Sequence, residues 1–169
     1  MQIHSGRFKG QRIKTVKNLP YRPTQSILRK SLFDIIEPLT CKSFLDLFSG
    51  TGIIGFEAAS RGVNKIFFVD KSIRVYSLLK INSLNFPGIK FRFSRSDGLK
   101  FINSNKKYDI IFADPPYDYH HFNTLIKLSC NALEKKGKFI LESSENEFTI
   151  KPNRQRKIGD SYVSFWNNE

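Results

Sequence analysis

Apolar and polar positions change period repeatedly along the chain, and each change marks an element. The first 20 residues alternate basic side chains with Ile3, Phe8, Ile13 and Val16, and Gly6 and Gly10 punctuate them. That pattern predicts a short hairpin or extended arm rather than a helix. Thr24 follows Pro23 as a good N-cap. Ile27, Leu28, Leu32, Ile35 and Ile36, with the small Ser31 among them, then fall at helical spacing as far as Pro38. From there strand and helix signals take turns. Ser43–Phe48 reads as a buried strand, Gly50–Gly55 as a loop opening a helix to about Arg61, and Lys65–Val69 as a second strand ending at Asp70. A helix is expected over Ser72–Leu84, with Ile73, Tyr76, Leu79 and Ile81 among its apolar residues. Ile89–Ser94 alternates apolar with basic residues, as a half-exposed edge strand does. A short helix after Asp97, the strand Tyr108–Ala113, a helix over roughly Phe122–Leu133 and the strand Lys138–Glu142 complete the alternation. Asn153–Lys157 and Ser161–Trp166 flank Gly159-Asp160 as a hairpin.

Strands alternating with helices specify an α/β fold of Rossmann-like form. It has a mostly parallel central sheet, helices on both faces and right-handed crossovers. Here a C-terminal β-hairpin closes the sheet and a short N-terminal β-arm precedes it. A chain of 169 residues holds one core. The expectation is a single domain over 1–169, with a basic arm over 1–21 and the core over 22–169. In such folds ligands sit outside the carboxyl ends of the strands, near the point where strand order reverses. Asp46 with Gly50, Asp70, Asp97 and Asp114 all fall at such ends, which predicts a single site.

The net charge of +13 adds a partner to this picture. It points to a polyanion, and nucleic acid is the default for a cytoplasmic chain. The distribution argues against compositional drift alone. Arg7, Lys9, Arg12, Lys14, Lys17, Arg22, Arg29 and Lys30 occupy residues 1–30 without any Asp or Glu, and Lys151, Arg154, Arg156 and Lys157 form a second group. The start, Met1 to Gly6, lacks the apolar run of a signal peptide, and no stretch approaches the length of a membrane span, so a cytoplasmic protein without membrane association is expected. Cys41 and Cys130 are far apart and read as reduced, inert side chains. His4, His120 and His121 share no ligand spacing with them, so no metal is expected.

Gly50-Thr51-Gly52-Ile53-Ile54-Gly55 fits the G-x-G-x-x-G pattern between strand and helix, with Asp70 about 20 residues on. Alone this is a dinucleotide fingerprint, and a nicotinamide-dependent oxidoreductase is one reading of it. Two features favour S-adenosylmethionine. Asp46 lies inside the preceding strand, where a buried carboxylate is costly unless paired, and an amino-acid ammonium would pair it. A helix-capping or loop-bracing role is the alternative. The other feature is Asp114-Pro115-Pro116-Tyr117, which hydride transfer does not need. In the S-adenosylmethionine reading the methionyl end lies against Gly50 and Gly52, where no side chain blocks approach. Asp70 accepts the ribose hydroxyls. Asp97 accepts the adenine amine or, equally well, only caps the helix after it.

Two prolines cannot continue a central strand, so the chain turns after Asp114 and leaves a carboxylate, rigid carbonyls and an aromatic ring at one edge. Those groups suit a flat heterocycle with an exocyclic amine: Asp114 and a neighbouring carbonyl accept its N–H groups while Tyr117 stacks on the ring. The alternative for Tyr117 is a core aromatic beneath the turn.

Together these residues resemble the class I S-adenosylmethionine-dependent methyltransferases, and Asp-Pro-Pro-Tyr resembles their amino-group-methylating branch. Gly6-Arg7-Phe8-Lys9-Gly10, Arg22-Pro23-Thr24, Arg29 to Phe33, Asp46 to Gly52, Asp114 to Tyr117, Glu142 and Gly159-Asp160-Ser161 follow in that order. The series resembles the bacterial small-subunit (16S) ribosomal RNA guanine-N2 methyltransferase family nearly end to end. The start Met1-Gln2-Ile3 departs from the family's basic residue before two aliphatics, and the chain is somewhat short. The resemblance implies a monomeric enzyme that uses S-adenosylmethionine and acts on 16S ribosomal RNA within an assembling small subunit. It implies catalytic roles for Asp114, Pro115, Pro116 and Tyr117, and cofactor contacts at Asp46, Phe48, Gly50, Gly52, Asp70 and Asp97. RNA contacts are implied at Arg7, Lys9, Arg12, Arg22 and Thr24. The same turn also accepts an adenine amine, so an adenine-N6 methyltransferase of DNA or RNA is the nearest rival. A non-catalytic RNA-binding protein on this fold is another.

Overall fold

The central strands are apolar almost throughout, because helices cover both faces of a parallel sheet and leave no solvent side. In the computed structural model, which describes residues 1–15, 26–37, 39 and 42–169, β1 (Phe44–Leu47) is buried along its whole length. β2 (Lys65–Asp70) and β4 (Tyr108–Ala113) are mostly buried, while β3 (Lys90–Arg95) alternates as an edge strand should. With β5 (Leu133–Ser143), β6 (Arg154–Ile158) and β7 (Ser161–Asn167) they form one sheet in the order β3-β2-β1-β4-β5-β7-β6. The first five strands run parallel, and β7 pairs antiparallel with both β5 and β6. Strand order reverses between β1 and β4, so a crevice opens at their carboxyl ends.

Helices α1 (Ser26–Ile36), α2 (Ile53–Ser60) and α3 (Ile73–Ser83) share one core with the arm on one face. The short α4 (Gly98–Ile102) and α5 (Phe122–Asn131) cover the other. Thr24, the Arg22-Pro23-Thr24 segment, Pro38 and Cys41 lie outside the described residues. Among the described residues no helix is long and apolar enough to cross a membrane.

Two elements differ from expectation. The buried stripe of α3 is Val75, Leu78, Leu79 and Asn82, whereas Ile73 and Ile81 are 54% and 48% exposed. The stripe keeps helical spacing but ends on a polar residue. Asn82 Oδ1 accepts from the Lys14 N–H at 3.0 Å and Asn82 Nδ2 donates to the Lys14 carbonyl at 2.9 Å, so the side chain is satisfied by the arm. Strand β5 begins at Leu133 rather than Lys138, because Leu133 already pairs with Tyr108 before an irregularity resets the register to Ile110 with Lys138.

The arm is a hairpin, with an antiparallel bridge between Gln2 and Arg12 and with Ile3 and Ile13 inserted in the core. It is tied to α2. Glu57, fully buried, accepts from the His4 and Ser5 N–H groups at 2.9 and 3.0 Å and also pairs with Arg61. The Ser60 carbonyl accepts from the Arg7 N–H, and Gly6, at φ +83°, passes so close that a Cβ there would lie 1.9 Å from the Ser60 carbonyl oxygen. Ser60 ends α2 just before β2 starts, so the arm's tip sits at the amino edge of the sheet.

Candidate functional site at the carboxyl edge

Four acids end four adjacent strands. Asp46 lies in β1, Asp70 closes β2, Asp97 follows β3 and Asp114 follows β4, in the spatial order β3-β2-β1-β4. The loop after β1 turns through Phe48 at φ 58°, Gly50 at φ 50° and Gly52 at φ 74°. Gly52 is required by packing, since a Cβ there would come within 2.3 Å of the Leu79 side chain. Ser49 locks the loop to the neighbouring strand. Its hydroxyl donates to the Asp46 carbonyl at 2.6 Å and accepts from the Val69 N–H at 2.9 Å.

Asp46 is buried, and one carboxylate oxygen accepts from the Gly55 N–H at 3.1 Å, bracing the first turn of α2. Burial pushes its carboxyl well above the usual carboxylate range. The Asp70 charge adds to the rise, and the Gly55 hydrogen bond opposes it. Asp70 is oriented from both sides, accepting from the Gly50 N–H at 3.1 Å and the Ser72 N–H at 2.8 Å. Asp97 caps α4, accepting from the Lys100 N–H at 3.1 Å, so its capping role is realised in the fold.

An aromatic wall stands beside these acids. A Cβ on Gly98 would lie 2.6 Å from the Phe48 ring, so the glycine lets the ring settle on the start of α4. Tyr119 meets Phe48 edge to face at 5.4 Å. Its hydroxyl is shielded from solvent and has no hydrogen-bond partner among the described residues. Burial, with the Asp97 charge second, pushes it up to about 12. The turn that begins at Asp114 delivers this residue: the Tyr119 N–H donates to the Pro116 carbonyl at 3.0 Å and returns the chain to the wall. Pro115 is buried and Pro116 exposed. Tyr117 is 91% exposed, so it is not a core aromatic beneath the turn.

The structure thus brings together Asp46, Phe48, Gly50, Gly52, Asp70, Asp97 and the Asp114 to Tyr117 turn. It holds Arg7, Lys9 and Arg12 apart from them, exposed on the arm, with the Arg7 guanidinium over the Phe8 ring at 4.9 Å. Arg22 and Thr24 lie outside the described residues. Sequence reasoning missed Tyr119, Gly98 and Ser49, whose roles depend on contacts between separate loops. The only signal within reach was the small, polar setting of Ser49-Gly50-Thr51. A shallow depression on the outer face of α3, lined by Ile73, Arg74, Ser77, Leu78 and Ile81, holds none of the strand-end acids.

The chain is similar to known proteins in sequence and fold. The family model described as conserved hypothetical protein 95 matches residues 1–167. The chain is 34% identical over 159 residues to ribosomal RNA small subunit methyltransferase D of Buchnera aphidicola, spanning 88% of this chain and 80% of that one. A candidate rRNA methyltransferase of Bacillus subtilis, YlbH, is 31% identical over 158 residues, spanning 89% and 85%. Among solved structures, a candidate methyltransferase of Escherichia coli, yhhF, matches with a TM-score of 0.87 at 23% identity, covering 100% of this chain and 98% of that one. The chain belongs to the conserved hypothetical protein 95 family, the methyltransferase D family of the class I methyltransferases.

Proposed function

We propose that this protein is an enzyme that uses S-adenosylmethionine to methylate the exocyclic N2 amine of a guanine in 16S ribosomal RNA. We read it as a single-domain cytoplasmic monomer that meets its substrate in an assembling small subunit. The observation that carries the reading is the row of four strand-end acids at one edge of a chain with a net charge of +13. A local excess of carboxylates in a basic molecule suits a cationic small ligand, while the surrounding surface suits a polyanion. The relatives' names supply the RNA class.

The residues fit S-adenosylmethionine. Asp46 is a buried acid whose raised carboxyl an ammonium group would stabilise in its charged form. Asp70, fixed by two backbone N–H groups, retains lone pairs for ribose hydroxyls. Phe48 and Tyr119 offer apolar faces to a base, and the orphaned Tyr119 hydroxyl and the Asp97 carboxylate offer polar partners. When bound, the cofactor supplies an electrophilic methyl group on a sulfonium.

The chain's part in the chemistry is to hold and activate the amine. A guanine amine is a weak nucleophile because its lone pair delocalises into the ring. Asp114 and the Pro115 carbonyl accept its two N–H groups and favour tetrahedral nitrogen, and Tyr117 stacks on the base, a contact worth about 1–3 kcal/mol. Positive charge grows on the nitrogen as the new bond forms, so a fixed carboxylate stabilises the transition state more than the ground state. The departing proton passes to Asp114, or through it to water.

The test is transfer of labelled methyl to RNA and to small subunits from cells lacking the protein, followed by nucleoside mass analysis. N2-methylguanosine is expected. N6-methyladenosine, or no labelled nucleoside, overturns the reading.

A further inference from the structure

The C-terminal hairpin places a second basic group beside the catalytic turn. Because β7 runs antiparallel to β5, the turn between β6 and β7 returns to the carboxyl edge, where Tyr162 lies opposite Ser143. Registers then link distant residues. Arg156 pairs with Val163 and Val163 with Glu142, while Ala113 pairs with Leu141, so Asp114 falls level with Glu142 one residue on. Arg156, Val163, Glu142 and Asp114 therefore form one lateral row, and Arg156 stands three strand spacings, about 14 Å, from the catalytic turn. Arg154 belongs to the row of Phe165, Ile140 and Phe112. Residues in one row share a face and residues two apart on a strand do too, so both arginines lie on the face that α1 covers further in.

That stretch has one sign of charge. From Lys151 to Gly159 there is no Asp or Glu, and Arg154, Arg156 and Lys157 are exposed. Neither guanidinium has an ion-pair partner among the described residues. Of the nearby acids, Glu142 lies two strands from Arg156 in the same row and Asp160 in the turn beyond Gly159, while Glu145 and Glu147 flank Asn146, whose carbonyl accepts from Gln155 Nε2 on the opposite face of β6. Strand β6 is also the open edge of the sheet. Charge on an edge deters sheet extension, a role lysine fills most often, and that role does not depend on which row the charge occupies. It does not call for a run of cations in register with the active site.

We propose that Arg154 and Arg156 are the phosphate contacts that hold the RNA backbone beside the reacting base. This rests on the reading of RNA as the substrate. The arm, at the opposite edge and one six-residue strand or roughly 17 Å away, would meet a different part of the RNA.

The test uses the full chain with Arg154→Ala and Arg156→Ala together, bound to small subunits or 16S RNA from cells lacking the protein. Binding is measured across salt concentrations. Loss of two phosphate contacts should lower the slope of log K against log salt by about 1.4–1.8. Affinity for S-adenosylmethionine and the melting temperature should not move. The Arg154→Lys, Arg156→Lys pair should keep the wild-type slope, and a photo-crosslinker at position 156 should join RNA next to the methylated nucleotide. An unchanged slope overturns the proposal. So does aggregation of the alanine pair while the soluble Arg154→Gln, Arg156→Gln pair binds with an unchanged slope, the result expected of a mere edge guard. The functional reading fails separately, if wild-type protein binds the RNA but transfers no methyl to it. The slope still decides the role of β6 in that case.

Discussion

Asp46 and Asp114 end neighbouring strands, yet their surroundings ask different things of them. Asp114 is half-buried at a turn fixed by two prolines, next to a fully exposed ring. If its carboxylate acts on the amine, Asp114→Ala should lower turnover roughly 10²–10³-fold while cofactor binding persists in calorimetry. Undiminished turnover would remove Asp114 from the mechanism. Asp46 is buried and its carboxyl is pushed up, chiefly by burial. The sign of its linkage follows. With the folded pKa above the unfolded one, the native state binds more protons between the two values, so stability falls as pH rises through that window. The penalty is absent below the ordinary carboxylate range and complete above the folded value. Asp46→Asn keeps an acceptor for the Gly55 N–H and removes the charge. The ligand-free variant should melt above wild type at about pH 8, and the gap should close toward roughly pH 4. The same change should weaken S-adenosylmethionine, because an amide does not pair with an ammonium group. A melting gap independent of pH would show that the Asp46 carboxyl titrates alike in the folded and the unfolded protein.

At the scale of elements, what was legible in the sequence depended on whether a residue's neighbours are near in sequence. The strand–loop–helix from Ser43 to Arg61 announces itself by a buried run, three glycines and a change of period, and β1 and α2 fall within it. The same holds for the hairpin around Gly159-Asp160. The apolar face of α3 was not legible in this way, because Asn82 is buried only through its bonds to Lys14, 68 residues away. Nor was the Phe48, Gly98 and Tyr119 wall, which two loops and the start of α4 assemble. The arm is the clearest case. Its alternating pattern indicated a hairpin, but nothing local pointed to Glu57 as the acceptor for His4 and Ser5 or to Ser60 as its dock. Gly6 exposes this dependence. Alanine there meets both a left-handed backbone and the Ser60 carbonyl, so Gly6→Ala should destabilise the protein by more than about 1 kcal/mol in denaturant unfolding. An unchanged midpoint would mean that the arm does not contribute to the folded core.

At the scale of the whole molecule, acids and cations form separate groups on a chain whose net charge is +13. Acids gather at the carboxyl ends of β3, β2, β1 and β4, and the exposed cations include groups on the arm at the amino edge and on the hairpin. The excess of +13 was plain from composition, but the gathering of the acids at one edge required the topology, because the strand ends are scattered over the sequence. The two kinds of site should answer differently to salt. Asp46 and Asp70 are buried or half-buried, and if they contact the cofactor as proposed, mobile ions should screen them little. Arg7, Lys9, Arg12 and Lys14 of the arm and Arg154, Arg156 and Lys157 of β6 are exposed and would displace condensed counterions from a nucleic acid. Raising salt from about 50 to 200 mM should therefore cut RNA affinity by roughly 10³-fold if six or more phosphates are engaged. Over the same range, S-adenosylmethionine affinity should change by less than about threefold. Parallel titrations by filter binding and calorimetry check this. Equal salt sensitivity of the two ligands would mean that the acids and the cations do not form separate sites.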